Sequence, residues 1–117
     1  MIKINNLSKN YGSRKVLTNI SFDFKEKGIY VIYGPSGSGK TTLLNCIAGL
    51  TDFAGSIQVN HQNIETLNDD DLSRLRLTTY GFVFQDFKLF ETETVLANLL
   101  FPFDTLYSMS KSQKIRK

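Results

Sequence analysis

The chain has 117 residues, 41% of them apolar and nine of them Phe, so it is long enough to bury one small core. Its net charge is +3, and the excess of basic residues lies at the end of the chain. Without Lys111, Lys114, Arg116 and Lys117 the chain has ten basic and eleven acidic residues. This balance argues against a basic nucleic-acid surface. The single Cys46 excludes an internal disulfide, and no run approaches the ~20 apolar residues of a membrane span.

The first predicted elements are strands. Residues 1–7 and 16–24 alternate apolar and polar side chains, which is typical of strands with one solvated face. Residues 11–13 form the turn between them. Residues 29–33 are apolar nearly throughout, which predicts a strand buried on both faces.

A phosphate-binding motif, G-x-x-x-x-G-K-[ST], follows this third strand and precedes a helix-like run, residues 42–48. Its glycines let successive N–H groups point at a phosphate, and the helix N-terminus after it favours an anion. Lys40 is predicted to reach the β- and γ-phosphates and the Thr41 hydroxyl to bind Mg²⁺. The motif consists of Gly34, Pro35, Ser36, Gly37, Ser38, Gly39, Lys40 and Thr41. The sequence therefore predicts binding of a nucleoside triphosphate.

Shorter elements are predicted after the motif. Gly49 is a candidate left-handed cap at the end of the helix, and residues 56–60 form another alternating strand. The acids of residues 69–71 are interpreted as caps of a helix over residues 72–77 and not as metal ligands. The remaining predicted elements are a turn at residues 61–63, a strand at residues 80–84 that stops at Gln85, a helix at residues 92–100 that Pro102 ends, and a capped helix start at Ser110–Gln113.

Two residues that often carry chemistry have ordinary predicted roles. His61 falls in a turn and matches no motif, so we expect a solvated side chain. Cys46 lies among apolar residues of the first helix, which favours a small buried residue over a reactive thiol. Neither residue is predicted to form a site.

Three motifs, in order, resemble those of ATP-binding-cassette (ABC) transporter ATPases. Tyr11 stands where the family has an aromatic residue that stacks on adenine, and Val16 resembles an apolar residue that packs against the base. The phosphate motif, extended by Thr42, matches the Walker A loop. Gln85 follows a Phe-Val-Phe strand and resembles the Q-loop glutamine. The resemblance implies that Gln85 contacts Mg²⁺ or the attacking water and, with Lys40, serves catalysis.

The resemblance implies an α/β fold, namely a partial P-loop NTPase of the ABC type. It has an N-terminal antiparallel β subdomain and is truncated before the second half of the core. Residues 1–117 are then the N-terminal portion of one nucleotide-binding domain. The family's Leu-Ser-Gly-Gly-Gln signature, Walker B aspartate, catalytic glutamate and switch histidine have no match in this sequence.

The implied function is the ATP-binding subunit of a transporter, with ATP and Mg²⁺ as its ligands. Such a subunit is cytoplasmic, lies on the inner face of the membrane, and couples ATP binding and hydrolysis to transport. Two nucleotide-binding domains would form a homo- or heterodimer, and a transmembrane permease subunit would bind the loop after Gln85; no nucleic-acid partner is expected. Phe87, Leu89 and Phe90 make this loop similar to exporters of lipoproteins, macrolides or antimicrobial peptides, although Ala97 stands where that group commonly has Glu.

Two other functions stay open on the sequence. We expect these 117 residues to bind nucleotide without efficient turnover, so a non-hydrolysing nucleotide-binding module is one alternative to an ATPase. A small P-loop kinase is the other. Such kinases need an arginine-rich lid, and Arg74 and Arg76 are the only internal arginines after the phosphate motif.

Overall fold

The computed structural model describes residues 1–83, 85 and 89–100 of the chain. A four-stranded antiparallel sheet has the order β2-β1-β3-β4, so β1 lies between β2 and β3. The elements are β1 (Ile2–Tyr11), β2 (Arg14–Phe24), α1 (Lys40–Ile47), β3 (Ala54–Val59), β4 (Gln62–Asn63), a 3-10 turn (Ile64–Thr66) and α2 (Asp69–Thr78).

The chain divides into two compact units, residues 1–72 and 73–117. The first unit holds the whole sheet, α1 and the 3-10 turn. In the second unit, residues 95–100 are helical, and the Thr94 hydroxyl caps them by accepting a 3.1 Å hydrogen bond from the Ala97 N–H. Among the residues described, no helix has the length and apolar character that a bilayer crossing requires.

The core of the first unit lies on one face of the sheet. Alternation along β1 and β3 buries every second side chain on that face, and α1 adds residues from its C-terminal end. Its buried apolar residues are Ile4, Leu7, Leu17, Cys46, Ala48, Ile57, Val59 and Ile64. Cys46 is fully buried, as predicted, and this burial raises the pKa of its thiol, which keeps the less reactive protonated form.

Two complementary bulges fix the register of β1 against β2. Asn6 adds one residue to β1 and Asn19 adds one to β2, both with positive φ (51° and 48°). The Asn6 N–H donates to the Ser21 hydroxyl across the pair at 2.9 Å, and the Asn19 N–H donates to the Ser8 hydroxyl at 3.0 Å. Because each bulge compensates for the other, the pairing returns to its starting register at Lys9 and Leu17. A third shift, between Lys9 and Asn10, then adds one more residue to β2 before the turn. We call this arrangement the serine-bridged bulges.

Most local predictions are confirmed. The three alternating runs become β1, β2 and β3, and Gly49 has the left-handed conformation (φ 70°) after α1. The acids of residues 69–71 occupy the first turn of α2, whose Asp71 N–H donates to the Asn68 side chain at 2.8 Å. His61 is an exposed turn residue, as predicted.

The predicted turn at residues 61–63 is shifted. Asn60 and His61 make the turn, with φ of 49° and 66°, while residues 62–63 form β4. Two central positions with positive φ are typical of the tight turn that joins two antiparallel strands. The predictions for Phe84, Phe87, Pro102 and Ser110–Gln113 lie outside the described residues.

The prediction of a buried strand at residues 29–33 is wrong for this structure. The segment belongs to no strand, and Ile29, Val31 and Tyr33 are 96%, 75% and 89% exposed. Residues 80–83 likewise belong to no strand. An apolar run indicates a segment suited to burial, but ladder hydrogen bonds to a neighbouring strand are what form a strand. Neither segment has such a ladder here.

Candidate nucleotide-binding site

The phosphate motif forms an exposed loop that ends at α1. Gly37 and Gly39 have left-handed backbones, with φ of 80° and 98°, and the Ser38 N–H between them donates to the Pro35 carbonyl at 3.2 Å. A Cβ at Gly34 would stand 2.9 Å from the Ser38 hydroxyl, so the loop curls onto its own start. Such a curl gathers backbone N–H groups into a concavity that fits an anion.

The N-terminus of α1 has no acidic side chain in its first turn and no side-chain cap. The two helix starts therefore differ, because α2 carries Asp69, Asp70 and Asp71 in its first turn. No acidic side chain of the first turn offsets the partial positive charge at the start of α1, which favours a bound anion. Thr41 lies in this first turn with an exposed side chain, next to the half-buried Thr42.

Lys40 folds back over the loop. Its Nζ donates to the Gly34 carbonyl at 2.6 Å and to the Pro35 carbonyl at 2.8 Å, and it lies 3.4 Å from the Ser38 hydroxyl. The ammonium therefore holds both ends of the curl together. It is also the group that can exchange these carbonyls for phosphate oxygens, which bind a cation more strongly.

The loop packs directly on β2. A Cβ at Gly39 would stand 3.1 Å from Val16 Cγ1, 3.1 Å from Leu17 Cδ2 and 3.2 Å from the Val16 carbonyl oxygen. Val16 was predicted to pack against the base, and the structure adds a contact that the sequence did not reveal. Val16 also packs against the phosphate loop at Gly39 and supports it. The absence of a side chain at position 39 is what permits this close approach.

Tyr11 ends β1 with its side chain half exposed. Lys9 Nζ lies 5.2 Å from the centre of the Tyr11 ring, within cation–π range. Lys9 is only 8% exposed, and its ammonium forms a 2.8 Å ion pair with Asp52, whose side chain is fully exposed. The hydrogen bond that Lys9 Nζ donates to the Asp52 carboxylate raises the pKa of Lys9, against the effect of burial, and the same bond lowers the pKa of Asp52. The ion pair thus ties the tyrosine to the segment after α1.

We expect Asp52→Asn to destabilise the fold at neutral pH, because it leaves the buried Lys9 ammonium without its partner. The pKa of Asp52 is lowered in the folded chain, so its contribution is complete above the unfolded pKa and disappears as pH falls through the folded value. The difference in urea midpoint between parent and Asp52→Asn should therefore shrink below about pH 4. Glu26→Gln, at an exposed acid, is the control. If the difference in urea midpoint between parent and Asp52→Asn stays constant from pH 7 to pH 3, the ion pair does not have this role.

Gln85 lies in the second unit, in a turn, with an exposed side chain. In the same unit, the Asn98 side chain bonds to the backbone at Phe90 and Thr94, which the sequence did not predict. The Asn98 side chain accepts from the Phe90 N–H at 2.8 Å and donates to the carbonyls of Phe90 at 3.2 Å and Thr94 at 2.9 Å. These bonds fix the backbone at residues 90–98.

The described part of the chain contains no group of three His, Cys, Asp or Glu residues arranged to hold a metal ion. The oxygen donors predicted for Mg²⁺, Thr41 and Gln85, are both exposed. A single hydroxyl of the first unit, that of Thr41, fits Mg²⁺, because this ion usually keeps several waters and is bound through one or two protein groups together with substrate phosphates.

The roles of Lys9, Asp52 and Asn98 were not predicted from the sequence. Lys9 and Asp52 are separated by 43 positions, and no short motif joins them. The signal that could have found Lys9 is its position in β1, where a lysine occurs on the face that carries the buried Leu7. A buried charged residue on an apolar face predicts a partner of opposite charge.

The chain matches the family model described as ABC transporter over residues 17–117. It is 41% identical over 114 residues to the methionine import ATP-binding protein MetN of Campylobacter jejuni, covering 95% of this chain and 34% of the relative. It is 38% identical over 116 residues to MetN of Clostridioides difficile, covering 97% and 36%. The chain therefore spans about a third of the length of these curated relatives.

Solved structures also match this chain. The dimeric structure of MJ0796, a bacterial ABC transporter cassette, matches with a TM-score of 0.82 and 38% identity, covering 87% of this chain and 46% of that chain. A post-hydrolysis dimer of the same cassette, bound to ADP and Pi, matches with a TM-score of 0.82 and 37% identity over the same shares.

Proposed function

Because the chain belongs to the ABC transporter family, we propose that residues 1–117 form the N-terminal portion of a nucleotide-binding domain that binds ATP at residues 34–42. The observation that carries the proposal is the curled loop. Lys40 Nζ bonds across this loop, and the loop leads into the N-terminus of α1, which has no acidic side chain in its first turn. The fold class expected from the sequence is supported by the match to solved cassettes and by the antiparallel sheet.

In this proposal the loop N–H groups and the first turn of α1 hold the phosphates. Lys40 Nζ leaves the carbonyls of Gly34 and Pro35 and binds the β- and γ-phosphates. The Tyr11 ring stacks on the base, and Val16 packs beside it. The loop N–H groups and Lys40 stabilise the negative charge that shifts between phosphate oxygens when the γ-phosphoryl group is transferred.

Thr41 and Gln85 are the residues that would hold Mg²⁺. When bound, Mg²⁺ neutralises charge on the phosphate oxygens. Thr41 presents its hydroxyl from the first turn of α1, beside the predicted phosphate position. Gln85 has a carboxamide, which can donate to or accept from a water molecule, and we propose that it orients the attacking water.

We propose that the whole protein hydrolyses ATP as a dimer of nucleotide-binding domains, on the inner face of the membrane, and drives transport through a permease subunit. The proposed permease contact is the loop after Gln85. Leu89 and Phe90 are 65% and 50% exposed there, on a backbone that Asn98 holds in place. An apolar surface on a fixed loop suits docking against a partner. The resemblance to exporters stays a prediction, since the relatives described above are named for methionine import.

A nucleotide-binding module without turnover is the second candidate. It is favoured by the groups described above, since the curled loop and Lys40 account for binding of the phosphates within residues 1–117. Steady-state phosphate release, measured together with equilibrium ATP binding, separates the candidates. Binding without phosphate release supports the module as the description of these 117 residues.

The proposed function is tested at Tyr11, which we expect to contribute only to binding of the base. Tyr11→Ala should weaken ATP and GTP binding by about 1–3 kcal/mol, because stacking tolerates either base. Binding of inorganic triphosphate should not change. Isothermal titration calorimetry measures all three affinities, and Tyr11→Phe, which keeps the ring, should bind ATP like the parent. An equal loss for ATP and triphosphate would contradict the stacking role.

A further inference from the structure

Arg14 occupies a defined place beside the proposed base platform. It begins β2 and pairs with Tyr11 across the turn formed by Gly12 and Ser13, so the two residues close the same hairpin. Gly12 has a positive φ of 60°, which lets the turn stay tight. The position of Arg14 is therefore coupled to that of Tyr11 by the ladder of β1 and β2.

The Arg14 guanidinium faces the phosphate loop. Its Nη2 lies 3.9 Å from the point where a Cβ at Gly37 would stand, which is ordinary van der Waals contact. Gly37 is one of the two left-handed residues that curl the loop. Lys40 Nζ is bonded at the other part of the curl, to Gly34 and Pro35. Two cations thus lie against one loop, at separate positions along it.

In the part of the chain that the structure describes, the Arg14 side chain has no polar partner that would explain this placement. Within residues 1–83, 85 and 89–100 its guanidinium forms no hydrogen bond and no ion pair, and the residue is exposed. A solvated strand end would leave such a side chain free to extend into water, yet here it lies against the loop. A guanidinium presents a planar fork of donors that matches phosphate oxygens.

We propose that Arg14 is a second phosphate-binding cation of the nucleotide site, which contacts the phosphate chain at the Gly37 side of the loop. This inference rests on the proposed function, since it concerns the same nucleotide. It assigns two tasks to one hairpin, because Tyr11 binds the base and Arg14 binds the phosphates. The ligand class is a nucleoside di- or triphosphate, and inorganic triphosphate carries the part that Arg14 recognises.

The first test compares Arg14→Gln with Lys15→Gln. Lys15 is the next residue of β2, so its side chain leaves the opposite face of the strand while the charge change is identical. Arg14→Gln should weaken ATP, ADP and inorganic triphosphate alike, by roughly five- to tenfold for an exposed charged contact. It should also lower the salt dependence of binding. Arg14→Lys should recover part of the affinity, and Lys15→Gln should match the parent.

The second test uses the unaltered chain and so does not depend on how a variant folds. Phenylglyoxal modifies exposed arginines, and mass spectrometry gives the rate at each site. Saturating triphosphate should slow modification of Arg14, with Arg74 as the internal reference.

The outcomes separate the two proposals. The role of Arg14 is overturned if Arg14→Gln keeps the parent's affinity and salt dependence, or if saturating triphosphate leaves the modification rate at Arg14 unchanged. If Lys40→Ala still weakens binding in that case, the proposed function stands. If the parent binds neither ATP nor triphosphate, both proposals fall.

Discussion

Lys40→Ala is expected to weaken ATP binding by roughly ten- to a hundredfold, the range for loss of a charged hydrogen bond. The ammonium at this position already lies over the loop, 2.6 Å and 2.8 Å from the carbonyls of Gly34 and Pro35. The substitution removes both the charge that faces the phosphates and the bonds that close the loop. Inorganic triphosphate should lose as much affinity as ATP, because the lysine does not contact the base.

Two further variants serve as controls for Lys40→Ala. Lys40→Gln keeps an N–H donor but no charge, so it separates closure of the loop from neutralisation of the phosphates. Lys3→Ala removes a lysine that is exposed on β1, away from the motif, and should leave binding unchanged. If Lys40→Ala binds triphosphate like the parent by calorimetry, the loop is not the phosphate site.

Gly55→Ala is expected to cause the largest loss of stability of any single methyl addition to the sheet. Gly55 has a φ of 105°, which a side chain strains at a cost of about 1–3 kcal/mol. A Cβ there would also collide with the backbone of β1 at Asn6 and would stand 2.8 Å from the Asn5 carbonyl oxygen. Backbone atoms in a ladder cannot move aside as a flexible side chain can. We therefore expect a total loss of roughly 3 kcal/mol or more, out of about 5–15 for a typical domain.

Two other glycines provide matched controls in urea unfolding followed by circular dichroism. Gly12 has a positive φ of 60° but nothing within 4 Å of an added Cβ, so Gly12→Ala isolates the backbone strain. Gly28 has neither feature, so Gly28→Ala should be close to neutral. The expected order of destabilisation is Gly55, then Gly12, then Gly28. Equal midpoints for Gly55→Ala and Gly12→Ala would show that the contact with β1 is absent in solution.

The features that the sequence predicted well are local. The phosphate loop, the left-handed Gly49 and the acids at the start of α2 each depend on residues a few positions apart, whose backbone requirements are visible in the sequence. The strands β1 and β2 were predicted because alternation of apolar and polar residues indicates a strand with one buried face. The roles of Lys40 and Thr41 were predicted from the phosphate motif itself, whereas those of Tyr11 and Gln85 came from the family resemblance.

The features that the sequence did not predict depend on distant partners. Asn6 and Asn19 are ordinary polar residues until the opposite strand presents Ser21 and Ser8. Residues 29–33 have the composition of a buried strand, yet their burial depends on neighbours that are not beside them in the described structure. Arg14 has no motif in the sequence, and only the fold brings it to Gly37.

The central position of β1 has a consequence for synthesis on the ribosome. β2 follows β1 after a two-residue turn, so one edge of β1 is paired soon after both strands emerge. The other edge must wait for β3, and residues 25–53 are translated in between. At about 5–20 residues per second this interval lasts on the order of seconds. During that time the nascent hairpin presents an unpaired strand edge, so pauses in translation before residue 54 would lengthen the period in which two nascent chains can pair wrongly.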